Sequence, residues 1–393
     1  MHRRQRALVI GGGIAGPALA LFLARHGIEP LVFEAYPRSD TAGGGLQIAP
    51  NGLRVFQALG LADALVAAGH PCRDMAFRNH RGRDIGTIRT AHAGPGVNVM
   101  RGAVHRILRD ELDRRRIPLA FSKRLEDVRV EGEAVVATFA DGTSATGNFI
   151  VGADGIRSRV RAWMLPQAAP RDTEMVSLGA FCRPGAFTPA DPRDAARLTF
   201  VVGPRHQFGY CLMGADHWGW WCHAHGATPE ARRALLTMPA EELRAQMLAR
   251  YAGWADPVEP LIQATEAWVR TPIFDVPCLP VWQRGRAVLV GDAAHAMSPA
   301  GGQGASMALE DAQLLATLVA DRSRPLSRSL ARFESLRRRP AEAVVAQAYA
   351  NDRRSLQELG PAGQWMRDHL LMPVFARAIG RALTRIYTRP LPA

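Results

Sequence analysis

The sequence predicts an α/β fold with a Rossmann-type domain, a mixed β-sheet domain interleaved with it, and helices at the C-terminus. Three observations carry this expectation. The turn Gly11-Gly12-Gly13-Ile14-Ala15-Gly16 follows the apolar run Ala7-Leu8-Val9-Ile10 and opens a segment with helical spacing over 14–26. Two further turns, Gly152-Ala153-Asp154-Gly155 and Gly291-Asp292, each set an aspartate behind a short buried-strand run. Residues 175–225 have strand character, and from Gly304 the pattern is helical almost to the end.

The elements follow in order. Leu31-Val32-Phe33 is a second buried strand ending in Glu34, which completes a strand–turn–helix–strand unit. Residues 101–116 read as a basic helix. Residues 125–151 alternate as strands, with turns at Glu131-Gly132 and Asp141-Gly142, the latter a strong hairpin signal. Residues 229–250 suggest two amphipathic helices. The run Ala287-Val288-Leu289-Val290 delivers the chain to Asp292. Helix breaks are expected near Pro325, Pro340, Gly360-Pro361 and Pro373. The cofactor-binding part is expected to take 1–75, 97–174 and 271–335, the substrate part 76–96 and 175–270, and a helical region 336–393.

Composition sets outer limits. At 393 residues the chain is long enough for two lobes. The formal charge of +13 invites a nucleic-acid reading. Against it, Lys123 is the only lysine, and arginine supplies the other 48 basic residues. A uniform replacement of Lys by Arg reads as codon bias, and no aromatic residues interleave with the arginine clusters as a strand-binding groove requires. Arg114-Arg115-Arg116 and Arg337-Arg338-Arg339 are therefore read as solvated helix faces. Five cysteines without a Cys-x-x-Cys argue against a disulfide framework or a zinc site and fit a reducing cytoplasm. No apolar run reaches the ~18 residues of a spanning helix.

The glycine turn has a direct chemical reading. Gly11 permits the tight turn, Gly13 lets a pyrophosphate approach the backbone, and Gly16 lets helix and strand pack closely. Glu34 stands where a carboxylate accepts from ribose hydroxyls and disfavours a 2′-phosphate. Asp154 and Asp292, taken alone, read equally as helix caps. Asp292 differs in being followed by a Pro and a second Gly-rich stretch that opens a helix.

Together these motifs resemble the single-component FAD-dependent aromatic hydroxylases, the para-hydroxybenzoate hydroxylase-like flavoprotein monooxygenases. The resemblance rests on Gly11 to Gly16 with Glu34, on Asp154-Gly155 with Ser158 and Arg161, and on Gly291-Asp292 with His295, Pro299, Gly302 and Gly304. It implies FAD as cofactor, with Glu34 on the adenosine ribose and Asp292 on the ribityl chain. By the same resemblance Asp154 would lie near the pyrophosphate and the approach of the nicotinamide. Arg101 and Gln47 would contact the flavin and Leu125 the adenine. The helix from Gly304 would point its N-terminus at the pyrimidine end of the ring system. His295 would be a structural member of its motif. The family's reaction takes NADH or NADPH as transient co-substrate, and molecular oxygen. It hydroxylates an electron-rich aromatic, enol-type or polyketide-like small molecule through a flavin C4a-hydroperoxide. One departure stands out: many relatives carry Arg after the Asp of the segment Phe274-Asp275-Val276-Pro277, where this chain has Val276.

The substrate side is less legible. His223, Tyr210 and Arg205 are the candidate catalytic residues on the expected substrate sheet. On a strand, Trp221, His223 and His225 share one face while Trp218, Trp220 and Cys222 share the other, and the sequence does not say which face meets the flavin. An epoxidising or Baeyer–Villiger oxygenase, or an FAD-dependent reductase, has the same motifs. A halogenase would need the Ile-Pro that Trp218-Gly219-Trp220-Trp221 lacks. The stretch Trp365–Tyr387 mixes apolar residues with Arg377, Arg381 and Arg385, which leaves a non-catalytic flavin-binding protein at a membrane surface as a reading of another class. Its plainer reading is a helix packed on the flavin domain.

Overall fold

The computed structural model describes residues 5–38, 43–89, 93–182, 185, 187–214 and 217–391. The N-terminal unit is β1 (Arg6–Ile10), α1 (Ala15–Arg25) and β2 (Glu29–Phe33), with β1 and β2 parallel and in register Arg6↔Glu29 to Ile10↔Phe33. Then come β3 (Gly45–Ile48), α2 (Pro50–Leu59), α3 (Ala62–Ala68), β4 (His70–Cys72), β5 (Asp74–Asn79), β6 (Asp84–Arg89), β7 (Gly96–Met100), α4 (Arg101–Arg114) and β8 (Leu119–Ala120). A meander of β9 (Leu125–Glu131), β10 (Ala134–Phe139) and β11 (Ser144–Gly147) precedes β12 (Phe149–Gly152) and α5 (Arg159–Met164). The central part is β13 (Arg171–Cys182), β14 (Arg197–Val202), β15 (Gln207–Met213), β16 (His217–His225), α6 (Pro229–Thr237), α7 (Ala240–Arg250), α8 (Val258–Gln263) and β17 (Thr265–Asp275). The chain ends with β18 (Gln283–Arg284), β19 (Ala287–Leu289), α9 (Asp292–His295), α10 (Gly304–Ala320), α11 (Leu326–Ser355), α12 (Pro361–Met366) and α13 (Met372–Thr388).

Two large sheets organise these elements. The first, in the order β18-β19-β12-β1-β2-β8, puts the ends of β1, β12 and β19 side by side. All three predicted turns therefore leave the same edge: β12 pairs in parallel with both β1 and β19. The second sheet runs β17-β13-β16-β15-β14-β5-β6 and is mixed, since β14 and β5 are parallel and the other pairs antiparallel. Its strands come from two separate stretches of chain. Helices α6 to α8 cover one of its faces through Leu235, Leu243, Met247, Val258, Leu261 and Ile262, which bury Val176, Leu178, Phe208, Trp218 and Trp220. The opposite face is left to line a cavity.

The C-terminal helices depart from expectation in three ways. Pro340 does not break α11, which runs through it for 30 residues. Buried Arg337, Ala341, Val345 and Ala348 hold both halves of that helix to the core, and this packing outweighs the lost backbone bond. Pro373 sits in the first turn of α13, where a missing N–H is tolerated. Arg337 is buried rather than solvated and pairs with Glu310 and Asp311. Helix α13 packs mainly on β6: a Cβ at Gly86 would stand 3.2 Å from Ala376 Cβ. None of the described helices is long and apolar enough to cross a membrane.

Candidate functional site

The first glycine turn is built by close backbone approach. Gly11 has φ +116° and its N–H donates to Phe33 O at 2.8 Å. A Cβ there would lie 2.1 Å from Ala153 O, and one at Gly16 would lie 1.9 Å from Gly11 O, whereas one at Gly13 would meet nothing within 4 Å. Two of the three motif glycines thus serve the packing of β1, α1 and the residue after β12; Gly13 faces open space. Helix α1 has neither a side-chain cap nor an acidic residue in its first turn, so its N–H groups remain available to an anion. Glu34 is held in place by donors from Gly12 N–H at 2.7 Å and Tyr36 N–H at 3.0 Å.

The two aspartate turns have different fates. Asp154 accepts from Ser158 Oγ at 2.5 Å and from the N–H groups of Arg159 at 2.7 Å and Val160 at 3.2 Å. Its carboxylate is engaged at the start of α5, where Ser158 caps in turn by accepting from Arg161 N–H. Burial raises its pKa in spite of those donors. Asp292 is exposed to the cavity with no hydrogen bond among the described residues, and Gly304 is its neighbour across the third turn. Pro299, Gly302 (φ +61°) and Gly304 shape that turn, and α10 begins behind it without a side-chain cap. Gln303, buried, donates from Nε2 to Tyr387 Oη at 3.3 Å and ties α13 to the turn.

Behind the third turn lies an ionic hub. Asp311 accepts from Arg337 Nε at 2.6 Å and Gly291 N–H at 2.9 Å, and its Oδ2 lies 2.6 Å from His295 Nε2. Burial works to raise the Asp311 pKa, but the charges of Arg337 and His295 outweigh it and bring it down to about 2. His295 is thereby held on Asp311 through Nε2, while its buried Nδ1 has no partner among the described residues. Val276 is buried, and its N–H donates to Ala296 O at 2.9 Å. The neighbouring Asp275 pairs instead with Arg171, at 2.6 Å, whose guanidinium stands 3.7 Å from the Tyr349 ring.

Arg101, Gln47 and Leu125 all line the same cavity. The Arg101 N–H donates to Gly44 O at 3.0 Å, Gln47 donates to Asn98 Oδ1 at 3.2 Å, and Leu125 is buried at the start of β9. His105, one turn along from Arg101, is driven down to about 4 by burial and the charges of Arg101 and Arg109, so it stays neutral.

From these residues the cavity continues without a wall to the uncovered face of the seven-stranded sheet. Its volume is about 2330 Å³, against ~300–1000 Å³ for a single small-ligand site. The alternation along β16 is resolved: Trp221 and His223 belong to the cavity face, and Trp218, Trp220 and Cys222 are buried in the core under the helices, although Trp220 also borders the cavity. Trp221 spreads across Gly209 of the next strand, where a Cβ would lie 2.4 Å from the indole.

Of the three candidate catalytic residues only His223 is on this face. Tyr210 points the other way: its hydroxyl donates to Asp194 at 2.7 Å and accepts from Arg78 at 2.8 Å, and burial raises its pKa further. That places it in a buried network beneath the sheet, because residue 210 has the parity of the core positions. Arg205 lies in the turn between β14 and β15, 65% exposed, paired with Glu358 at the cavity rim. His223 has a side chain only 4% exposed, with Nδ1 3.5 Å from Asp352 Oδ1 of α11. Among the described residues neither ring nitrogen and neither carboxylate oxygen has a hydrogen-bond partner.

Comparison with known proteins decides what this arrangement serves. The model of the FAD binding domain family matches residues 4–348. The chain is 32% identical over 372 residues to the aurachin C monooxygenase/isomerase of Stigmatella aurantiaca, covering 91% of this chain and 89% of that one. The chain belongs to the single-component FAD-dependent aromatic hydroxylases. This hydroxylase is also 31% identical over 328 residues to the 6-hydroxynicotinate 3-monooxygenase of Bordetella bronchiseptica, covering 80% and 82% of the two chains. Among solved structures it superposes on Klebsiella pneumoniae HpxO complexed with FAD and uric acid, with a TM-score of 0.83, 26% identity, and 98% and 96% of the two chains covered.

The residues present in this hydroxylase fit FAD. Two uncapped helix N-termini face one cavity, Gly13 leaves open space beside the first, Glu34 is pre-positioned, and the exposed Asp292 lines the same cavity. Sequence reasoning missed Asp352, because nothing local marks an aspartate late in α11 as the neighbour of a histidine on β16. It also missed Asp311 and Arg337 as the frame of the third turn, although the charged pair within an apolar helix was a visible signal.

Proposed function

We propose that this enzyme hydroxylates an electron-rich aromatic or enol-type small molecule with NAD(P)H and O₂. The observation that carries the reading is the single cavity joining the flavin motifs to the apolar, aromatic sheet face. The reaction balances as substrate C–H + O₂ + NAD(P)H + H⁺ giving substrate C–OH + H₂O + NAD(P)⁺. FAD, when bound, supplies the transfer of electrons from nicotinamide to oxygen and delivers one oxygen atom to the substrate. The chain's part is positional. Glu34 and Asp292 accept from ribose and ribityl hydroxyls, and the N-termini of α1 and α10 face negative charge. Trp221, Phe200, Met75 and Phe77 keep the reacting ring in a dry site, which suppresses side reactions with water.

His223 takes up the proton of the substrate's hydroxyl, and Asp352 balances the charge of the resulting imidazolium. Support comes from their mutual approach and from four buried polar atoms left unpaired, an arrangement that is costly unless something uses it. Removing a proton from the substrate enriches the ring at the moment of oxygen transfer. His223→Gln is expected to lower kcat about a hundredfold, the lower end for a general base. Flavin content should be unchanged, measured by absorbance against protein concentration. Wild-type kcat in that variant would remove His223 from the chemistry.

The overall reading is tested by labelling. With a turnover substrate found by screening for stimulated NAD(P)H oxidation, product formed under ¹⁸O₂ should gain one labelled atom. Incorporation from H₂¹⁸O instead, or NAD(P)H consumption with no oxygenated product, would sink it.

A further inference from the structure

We propose that the substrate of this site carries a long apolar chain beside its reacting ring, and that α13 is the wall that receives it. The proposal rests on the hydroxylase reading above and adds the shape of what is hydroxylated.

Phe375, Ile379, Leu383 and Ile386 recur at helical spacing on α13, and all four line the cavity. Phe375 is 46% and Ile386 40% exposed, and together with Ile379 and Leu383 they make a contiguous apolar stripe rather than scattered single residues. The docking itself explains how the stripe is left open. Gly86 of β6 lets Ala376 approach, and a Cβ at Gly380 would lie 3.6 Å from Arg89 O, so the helix contacts β6 through its small residues. The large ones line the cavity.

Opposite this stripe the sheet presents Met75, Phe77, Ile88, Leu198 and Phe200. The two surfaces form an apolar gallery. From Phe375 to Ile386 it is about 16 Å long, at ~1.5 Å per helical residue. From β16, which bears His223, to β6 is four strand steps, or about 19 Å at ~4.8 Å each. A single hydroxylated ring at His223 would leave most of this gallery filled with water against apolar walls. An amphiphile with its ring at the His223 end and an alkyl or prenyl chain along α13 fills it. Arg367, one of the arginines beside this wall, donates to Gly203 O and to Asp368, both at 2.7 Å, while its Nη2 has no partner among the described residues.

The test reads binding to the oxidised holoenzyme, without turnover. Alkylresorcinols carrying methyl, butyl, octyl or dodecyl chains are titrated against the flavin absorbance. Affinity is expected to rise roughly threefold to fourfold per methylene until the gallery is full. In Ile379→Asp, and independently in Ile386→Asp, that slope should collapse, with flavin content and circular dichroism confirming the fold. A flat or falling series in the wild type overturns the proposal, and so does a slope that both variants retain. The outcome is separable from the labelling test: a rising slope with no ¹⁸O transfer removes hydroxylation alone, and ¹⁸O transfer with a flat slope removes the chain alone.

Discussion

Gly16→Val is expected to purify colourless. The side chain would begin with a Cβ 1.9 Å from the Gly11 carbonyl oxygen and 3.3 Å from Val9 Cγ1. No rotamer relieves a clash with backbone, so α1 must move off β1. Gly11 cannot retreat, because its own Cβ position is already filled by Ala153 O at 2.1 Å. Overpacking of this kind costs up to ~3 kcal/mol or more, and the displaced N-terminus of α1 is the part that faces the phosphates. FAD affinity should fall at least about a hundredfold, measured by titrating apoprotein with FAD. Gly13→Ala separates packing from binding. Its methyl meets no protein atom within 4 Å, so melting of the apoprotein should be unchanged while FAD affinity falls. Equal FAD binding by Gly16→Val and wild type would overturn this account of the turn.

Asp311→Ala should be the most destabilising single truncation in the flavin half. It strands the buried Arg337 guanidinium, which loses a 2.6 Å partner and keeps only Glu310 at 3.0 Å and Met307 O at 3.1 Å. It also removes the acceptor for Gly291 N–H, the residue that presents Asp292. Breaking a buried ion pair from one side costs ~3–5 kcal/mol, read as the shift in urea unfolding of the holoenzyme, with FAD loss expected in parallel. The wild type carries the matching pH signature. Asp311 titrates in the folded protein at about 2, below its ordinary value of ~3.9. Its contribution is therefore complete above about pH 4 and is lost as pH falls from there toward about 2. Asp311→Asn should flatten that acid limb, and an unchanged limb would show that other carboxylates govern it.

The first half of the site was legible because it is local. The spacing of Gly11, Gly13 and Gly16, the position of Glu34, and the strand before each aspartate are short-range facts, and a parallel sheet brings the three turns to one edge. The hydroxyls and rings of the second half depend on which face of a strand is covered. Trp221 and His223 were correctly paired on one side of β16, but only α6 to α8 decide that the other side is core. Tyr210 and Arg205 failed for that reason: one has core parity, and the other lies in a turn. Asp352 needed the path of α11, which Pro340 obscured, since the packing that carries the helix past a proline is set by residues far away in sequence. Arg337 read as one of three solvated arginines because its partners, Glu310 and Asp311, lie on another helix.

The division of the seven-stranded sheet into two faces has an evolutionary consequence. In the middle of β16 Gly219, Trp221 and His223 line the cavity while Trp218, Trp220, Cys222 and Ala224 pack in the core under the helices, so a change at Trp221 or His223 is expected to leave the stacking of Trp220 on Phe208 in place. Specificity can drift while the scaffold's stability stays put. The same parity makes the strand intolerant of insertion. One added residue before Trp220 would turn Cys222 toward the substrate and thrust an imidazole among Leu243, Met247 and Tyr251. Selection acting on this fold is therefore free to substitute and barred from shifting, and new substrates are expected to be acquired side chain by side chain.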